Sequence, residues 1–386
     1  MQRLFIVGAL VASLFGAVST VHAQTLTVLH SFTGTNPPVG AGADGATPFG
    51  ALTLSGSTLY GTTKHGGGSL QAGTLFSVDV NTGVEQVLYS FGGTNNGELP
   101  VSSLILRGST LYGTAPLFDR GKPWGELFSY DTGTRVKTTL TNFMNGQPNG
   151  YVPSPGVVAN GSILYGTSEN GPDPYSKGTI YSYNLATRQQ TVLHIFSGKE
   201  GAPSSDGAVP RANMTLVGSK LYGTTYAGGT YGFGTVFVCD TQTNQVSIVY
   251  SFGTVGGSNP YGSLLLSGSK LYGTTSGGSQ YTASLFSIDT GTGLFSRLCS
   301  LPGYASGNIA QIGDILYGTT QRSGSSGDGS VYSYDTKTGA FAIVFSFNGL
   351  NGSQPIGGLI TDGTTLYGTT VTGGPNGNGE VFALKP

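Results

Sequence analysis

The sequence predicts an all-β fold, a seven-bladed β-propeller of four-stranded blades, from a sevenfold motif, a turn-rich composition and two chain ends that complement each other. Leu-Tyr-Gly-Thr begins at Leu59, Leu111, Leu164, Leu221, Leu271, Leu316 and Leu366, with spacings of 52, 53, 57, 50, 45 and 50 residues. A period near 50 residues suits a propeller blade. Glycine makes up 66 of 386 residues and charged residues only 9 %, against about 7 % and about 25 % in ordinary domains. With 21 tyrosines and 19 phenylalanines the chain has ring surface to bury, so the glycines read as turns rather than disorder. A net charge of −1 leaves no electrostatic footprint for nucleic acid or an anionic membrane.

From the N-terminus, Arg3 precedes an apolar run over residues 4–18, and Val21-His22-Ala23 follows. That is the layout of a signal peptide over residues 1–23, leaving 24–386 as a single propeller domain, secreted or periplasmic. The apolar run is too short to span a bilayer and no second one follows, so no membrane insertion is expected.

Each repeat reads as four strands. The first follows a proline into an apolar stretch such as Ser263-Leu-Leu-Leu266, and a Ser-Gly-Ser turn returns the chain into Leu-Tyr-Gly-Thr. A glycine-rich loop leads to a third strand, Gly73-Thr-Leu-Phe-Ser-Val-Asp79 in the first copy. A hairpin such as Asp335-Thr-Lys-Thr-Gly339 leads to a fourth, Val87-Leu-Tyr-Ser-Phe91 in the first copy. Alternating side chains, β-branched and aromatic enrichment and Gly/Asp/Asn punctuation support strands throughout. The chain begins with a lone fourth strand, Thr25-Leu-Thr-Val-Leu-His-Ser-Phe32, and stops after a third, Gly379-Glu-Val-Phe-Ala383. The N-terminal strand is therefore expected to complete the last blade and close the ring.

The repeated residues read as scaffold. Leucines fill the core, the motif glycine admits a neighbouring backbone, and the motif tyrosine finds a hydroxyl partner in each copy. The hairpin aspartates bond their own turns. Cys239 and Cys299 fall in different blades and are read as unpaired small hydrophobes, with a disulfide in an oxidising compartment as the alternative.

These motifs, Leu-Tyr-Gly-Thr-Thr with Gly-Thr-Val-Phe and Val-Leu-Tyr-Ser-Phe, resemble the GloVer tandem-repeat family of secreted bacterial proteins over essentially the whole mature chain. The resemblance implies an extracytoplasmic repeat protein and carries no catalytic residues with it. Many members look as though they carry a C-terminal sorting anchor. This chain ends at Leu384-Lys385-Pro386 within its last blade, from which release or periplasmic residence is expected.

Catalytic chemistry finds little support. His30 and His194 occupy the fourth-strand position of Tyr89 and Tyr250 and read as repeat variants. His65 lies beside Lys64 without an identifiable acidic partner, which a Ser-His-Asp relay needs. Three scattered histidines and two distant cysteines do not match zinc spacing, and neither Asn376-Gly-Asn-Gly-Glu380 nor Ser325-Ser-Gly-Asp328 is dense enough in oxygens for calcium. Gly66-Gly-Gly68 lacks the lysine and helix of a phosphate loop. The Asp-x-x-Thr-Gly turn resembles that of quinoprotein propellers, but Trp124 falls outside that pattern. No cofactor or metal is expected. Asp44, Glu98, Asp119, Asp173, Glu200, Asp206 and Asp328 lie in variable loops, and Glu126 and Glu380 open third strands where other blades have Thr or Ser.

In such blades the loops from strand two to three and from blade to blade share one face, and here they are the long, variable ones. Ligand residues concentrate on such loops. Blade two contributes Phe118, Asp119, Arg120 and Trp124, and Tyr151 precedes blade three, which adds Asp173, Tyr175 and Lys177. Blade four contributes Tyr226, Tyr231 and Phe233, and blade five Tyr281. The corresponding loops of blades one, six and seven offer His65, Arg322 and Val371. An arc of rings there suits sugar stacking or a partner surface; the alternative is that the rings fold inward over the glycines. The expected function is extracytoplasmic binding or scaffolding by a monomer, with a polysaccharide or cell-surface protein as partner. The rival is a polysaccharide-active enzyme using an acidic pair on the same face, and a third reading is a structural protein without a small ligand.

Overall fold

The computed structural model describes residues 24–34, 44–68, 70–92, 98–116, 125–144, 146–172, 176–198, 206–253, 256–277, 282–305 and 307–386. The segment read as a signal peptide lies outside them. The described residues form seven antiparallel sheets and no helix. Blade four shows the plan: an inner strand Thr215–Val217, a second strand Lys220–Thr225, a third Thr235–Asp240 and an outer Val246–Ser251. In blades one and three, the chain preceding the inner strand adds Ala46–Pro48 and Tyr151–Pro153 to the other end of the second strand. Blade seven takes its outer strand from the N-terminal segment, with Thr25 opposite Lys385 and Ser31 opposite Glu380.

The tight turn into the outer strand follows from local chemistry. Between the third and outer strands, Asp79 Oδ1 accepts from the backbone N–H of Asn81 and Thr82. The left-handed residue that closes this turn is Gly83, Gly293 or Gly339 in some blades, and Arg135, Arg188 or Asn244 in others. Every outer strand carries a bulge, such as the shift between Leu75 and Phe76 against Tyr89 and Val87. Bulges bend and twist a strand, which makes an outer edge harder to extend.

Seven buried clusters hold the sheets together, one per seam. Leu127, Phe143, Leu164 and Tyr181 join blades two and three, while Tyr222, Phe252, Leu271 and Phe286 join four and five. The ring returns on itself where Tyr367, Val381 and Phe32 of blade seven meet Leu52, Leu59 and Phe76 of blade one. Cys239 and Cys299 are free and belong to different seams, between blades three and four and between five and six.

Two details differ from the sequence expectation. What approaches the motif glycine is a ring and not a backbone. A Cβ on Gly61 would lie 2.5 Å from Cζ of Phe76, its cross-strand partner, and Gly223 and Gly273 meet Phe237 and Phe286 in the same way. The motif tyrosines are also not all hydroxyl-bonded. Tyr367 donates to Asp362 Oδ2 at 2.9 Å, whereas Tyr222, 5 % exposed, has no hydroxyl partner among the described residues. Its ring packs into the seam, and that contact is what the repeat retains.

The second motif threonine ties the second strand to the third. Thr63 meets Thr74 at 2.8 Å, Thr225 meets Thr235 at 2.8 Å, and Thr275 meets Ser284 at 3.0 Å. Glu126 and Glu380 replace the third-strand hydroxyl and are both buried. Glu126 accepts from Lys137 Nζ and from the Thr139 hydroxyl, each at 2.6 Å, and Glu380 accepts from Ser31 at 3.0 Å. Each carboxylate is thus bound within its own blade.

Candidate functional site at the ring axis

In six blades the chain enters through a left-handed residue followed directly by a proline. Thr47, Leu99, Val152, Val209, Asn259 and Gln354 stand directly before Pro48, Pro100, Pro153, Pro210, Pro260 and Pro355, each with φ between 55° and 61°. Left-handed backbone is unfavourable for β-branched and bulky side chains, so six repeats of it mark a fixed device. Blade six has Ala305 in place of the proline.

The residue after the proline is different in almost every blade: Phe49, Val101, Ser154, Arg211, Tyr261, Ser306 and Ile356. Five of these, Phe49, Val101, Arg211, Tyr261 and Ile356, line one narrow axial space of about 40 Å³. Beside it, sharing Phe49, Arg211, Tyr261 and Ile356, is a cavity of about 370 Å³. Tyr226, Asn259, Ser276, Tyr304 and Gln321 complete its wall. These five sit at second-strand ends and blade-to-blade connections, so the cavity is at the axis on the long-loop face. Its volume lies within the range of small-ligand sites, about 300–1,000 Å³.

Arg211 organises the wall. Its Nε donates to Glu169 Oε2 at 3.2 Å, and its guanidinium carbon lies 4.6 Å from the centre of the Tyr226 ring and 5.8 Å from that of Tyr261. Tyr226 and Tyr261 meet edge to face at 6.2 Å. Arg211 remains about a third exposed and Glu169 a quarter. Burial pushes the Glu169 carboxyl above its usual range, and the charge and hydrogen bond of Arg211 oppose that rise. Burial likewise raises the Tyr261 phenol. With Nε taken by Glu169, the Nη groups remain as donors for a ligand. Aromatic faces beside a planar cation can stack on a flat apolar ring face while the donors fix its orientation.

The sequence-derived ring residues are placed as follows. Tyr226 is in the cavity wall. Tyr231, 63 % exposed, stands over Gly253 in the long loop of blade four. Phe233 is half-buried against the seam between blades four and five. Phe118, Asp119, Arg120, Trp124, Asp173, Tyr175 and Tyr281 lie outside the described residues. Sequence reasoning missed Arg211, Tyr261, Phe49 and Glu169. The signal was present only in part: aligning the repeats on their proline exposes the position, but the residues on either side of the pair vary as well.

A second constellation lies at the outer rim. His30 Nε2 is 2.9 Å from Asp44 Oδ2, and Asp44 also accepts from the Thr33 backbone and hydroxyl. Burial opposes ionisation of Asp44, but the bonds from His30 and Thr33 prevail and hold its carboxyl below the usual range. Glu85 of blade one faces this pair, and burial pushes its carboxyl up to about 7. His194 and Asp206 repeat the His–Asp contact at 2.7 Å, with Ser197 in the role of Thr33.

Comparison with known proteins agrees with this architecture. Residues 119–311, half of the chain, match the Gloeobacter/Verrucomicrobia repeat. No curated protein matches the sequence. Among solved structures, an oligogalacturonate lyase from Vibrio parahaemolyticus superposes with a TM-score of 0.59 at 11 % identity, covering 93 % of each chain. An oligogalacturonate lyase in complex with manganese gives 0.56 at 16 % identity, covering 93 % of this chain and 92 % of that one. The extracellular domain of a hybrid two-component system from B. thetaiotaomicron gives 0.58 at 14 % identity, covering 92 % of this chain; the match spans only 39 % of that chain. At such identities the likeness is one of fold.

Proposed function

The chain belongs to the Gloeobacter/Verrucomicrobia repeat family, and we propose that it is an extracytoplasmic binding protein that takes a glycan at the axial cavity of its long-loop face. The observation that carries this reading is the cluster of Arg211, Tyr226 and Tyr261 around a cavity of about 370 Å³. It combines ring faces with outward-facing guanidinium donors at the repeat position that differs from blade to blade. Tyr231 is exposed on the same face and Phe233 packs in the seam beside it; Phe118, Asp119, Arg120, Trp124, Asp173, Tyr175 and Tyr281, in the same long loops by sequence, lie outside the described residues.

Binding is favoured over glycoside hydrolysis by the carboxylates. That chemistry uses two carboxyl groups about 5–9.5 Å apart. Among the described residues no carboxylate lines the cavity, and Glu169, which contacts the wall through Arg211, is engaged by it. The test is a binding and turnover screen of the mature protein against bacterial and plant polysaccharides. Glycan binding without turnover, weakened by Tyr226→Ala and by Arg211→Lys at unchanged Tm, is expected. Turnover of any polysaccharide, or binding that survives both substitutions, would refute the reading.

A further inference from the structure

The rim cluster of His30, Asp44 and Glu85 differs in kind from its counterparts in the other seams. Along the outer strands, the residue two before the seam phenylalanine (Leu301 in blade five) meets a residue in the first two positions of the next blade's outer strand. Elsewhere that meeting is packing, a simple hydrogen bond or, for Lys137 over the Tyr89 ring, a cation beside an aromatic face. Tyr250 stacks on Phe295 at 3.7 Å, and Thr141 donates to Gln190 at 2.8 Å. At the seam between blades seven and one the two positions hold His30 and Glu85, and Asp44 joins them from the connecting loop.

One donor atom from each residue, an imidazole nitrogen and two carboxylate oxygens, lies within 4.8 Å of the others. Ligands around a tetrahedral zinc ion at about 2.0–2.2 Å are themselves about 3.4 Å apart, so small side-chain adjustments bring all three to one centre. A second, independent observation points the same way. Glu85 Oε1 is buried and has no hydrogen-bond partner among the described residues. A buried carboxylate oxygen without a partner is costly, and a cation removes that cost. Thr33 holds Asp44 Oδ1 through two hydrogen bonds, so the ligating carboxylate is already oriented from behind.

We propose that His30, Asp44 and Glu85 form a binding site for a divalent transition-metal cation that clasps the N-terminal strand to blade one. An imidazole with two carboxylates suits zinc or a neighbouring first-row ion better than calcium or magnesium, which favour all-oxygen shells. The three ligands come from the outer strand of blade seven, the loop that leaves it and the outer strand of blade one. A bound ion therefore bridges the seam where the two ends of the chain meet. The proposal is independent of the axial cavity.

The chain supplies its own control. His194 and Asp206 reproduce the His–Asp pair, but the position matching Glu85 in the next blade is Val246. The experiment titrates zinc into tag-free, metal-stripped mature protein by calorimetry, with the visible spectrum of the cobalt form and Tm as further readouts. One ion per chain, a tetrahedral cobalt spectrum and a Tm raised by roughly 2–4 °C at saturation are expected. Glu85→Gln weakens binding at least about tenfold. His30→Tyr does the same while keeping the fold, because blades one and four carry Tyr89 and Tyr250 there. His194→Tyr binds zinc as the wild type does. Absence of one-to-one binding overturns the proposal. So does zinc affinity unchanged in Glu85→Gln or His30→Tyr, or lost in His194→Tyr.

Discussion

The guanidinium of Arg211 lies 4.6 Å from the centre of the Tyr226 ring; Arg211 precedes the inner strand of blade four and Tyr226 directly follows its second strand. The same side chain neutralises Glu169 of blade three, so the axial wall is tied across a seam by one arginine.

That arrangement sets a pH dependence. The Glu169 carboxyl is raised in the folded protein, so its ionisation opposes folding as pH climbs from the unfolded value through the folded one. Arg211 limits this penalty. Arg211→Ala should therefore be nearest to wild type at about pH 3, below the unfolded value, where Glu169 is protonated in both states. Near neutrality and above it should lose about 1–2 kcal/mol. Chemical denaturation at both ends of the range measures this, and an equal deficit at both would contradict it.

Tyr181 and Tyr332 occupy the third-strand position held by Phe76, Phe128, Phe237, Phe286 and Phe382 in the other blades. Both are fully buried, and neither hydroxyl has a hydrogen-bond partner among the described residues. Burial raises both phenols strongly. Tyr181→Phe and Tyr332→Phe should each stabilise the protein by about 1 kcal/mol, since a buried unpaired hydroxyl costs about 1–3. Tyr222→Phe should change stability little. A loss of stability in Tyr181→Phe, read from Tm, would reveal a partner for that hydroxyl.

Val209 holds φ at 56° before Pro210, a conformation that blade five gives to Asn259. Asparagine tolerates the left-handed region better than a β-branched residue. Val209→Asn should raise stability by up to about 1 kcal/mol, and a lower unfolding midpoint would count against strain at this step.

Removing residues 24–32 takes away the strand paired with Glu380–Lys385 and the buried Phe32 of the closing seam. An exposed strand edge is an aggregation hazard. The truncated protein should be poorly soluble beside residues 24–386, as judged by its sedimenting fraction after expression. Equal solubility and equal Tm would show that the strand contributes nothing to the ring.

The blade plan was legible because scaffold residues recur in register: Leu221 and Phe237 are found by alignment of the repeats alone. The long-loop face was legible for the same reason, and Tyr226 on it reaches the cavity. The axial cluster was not read because Arg211 and Tyr261 differ in every property except their place after a proline. The rim cluster escaped because His30 and Glu85 are 55 residues apart and touch only when the ring closes. Distance along the chain hides contacts between strands that belong to successive blades. The hydroxyl of Tyr222 was misjudged because burial of a ring was taken to mean burial of its tip.

Six left-handed residues before six prolines also bear on how such a protein diversifies. The strained step fixes the direction of the next side chain whatever that side chain is, while leucine, glycine and phenylalanine elsewhere in the blade maintain the seams. Exchange at Phe49, Val101, Arg211, Tyr261 or Ile356 therefore rewrites the lumen without renegotiating the architecture. Descendants of one ancestral ring can acquire different ligands by single substitutions at the hub, while the seams that join the blades stay as they are.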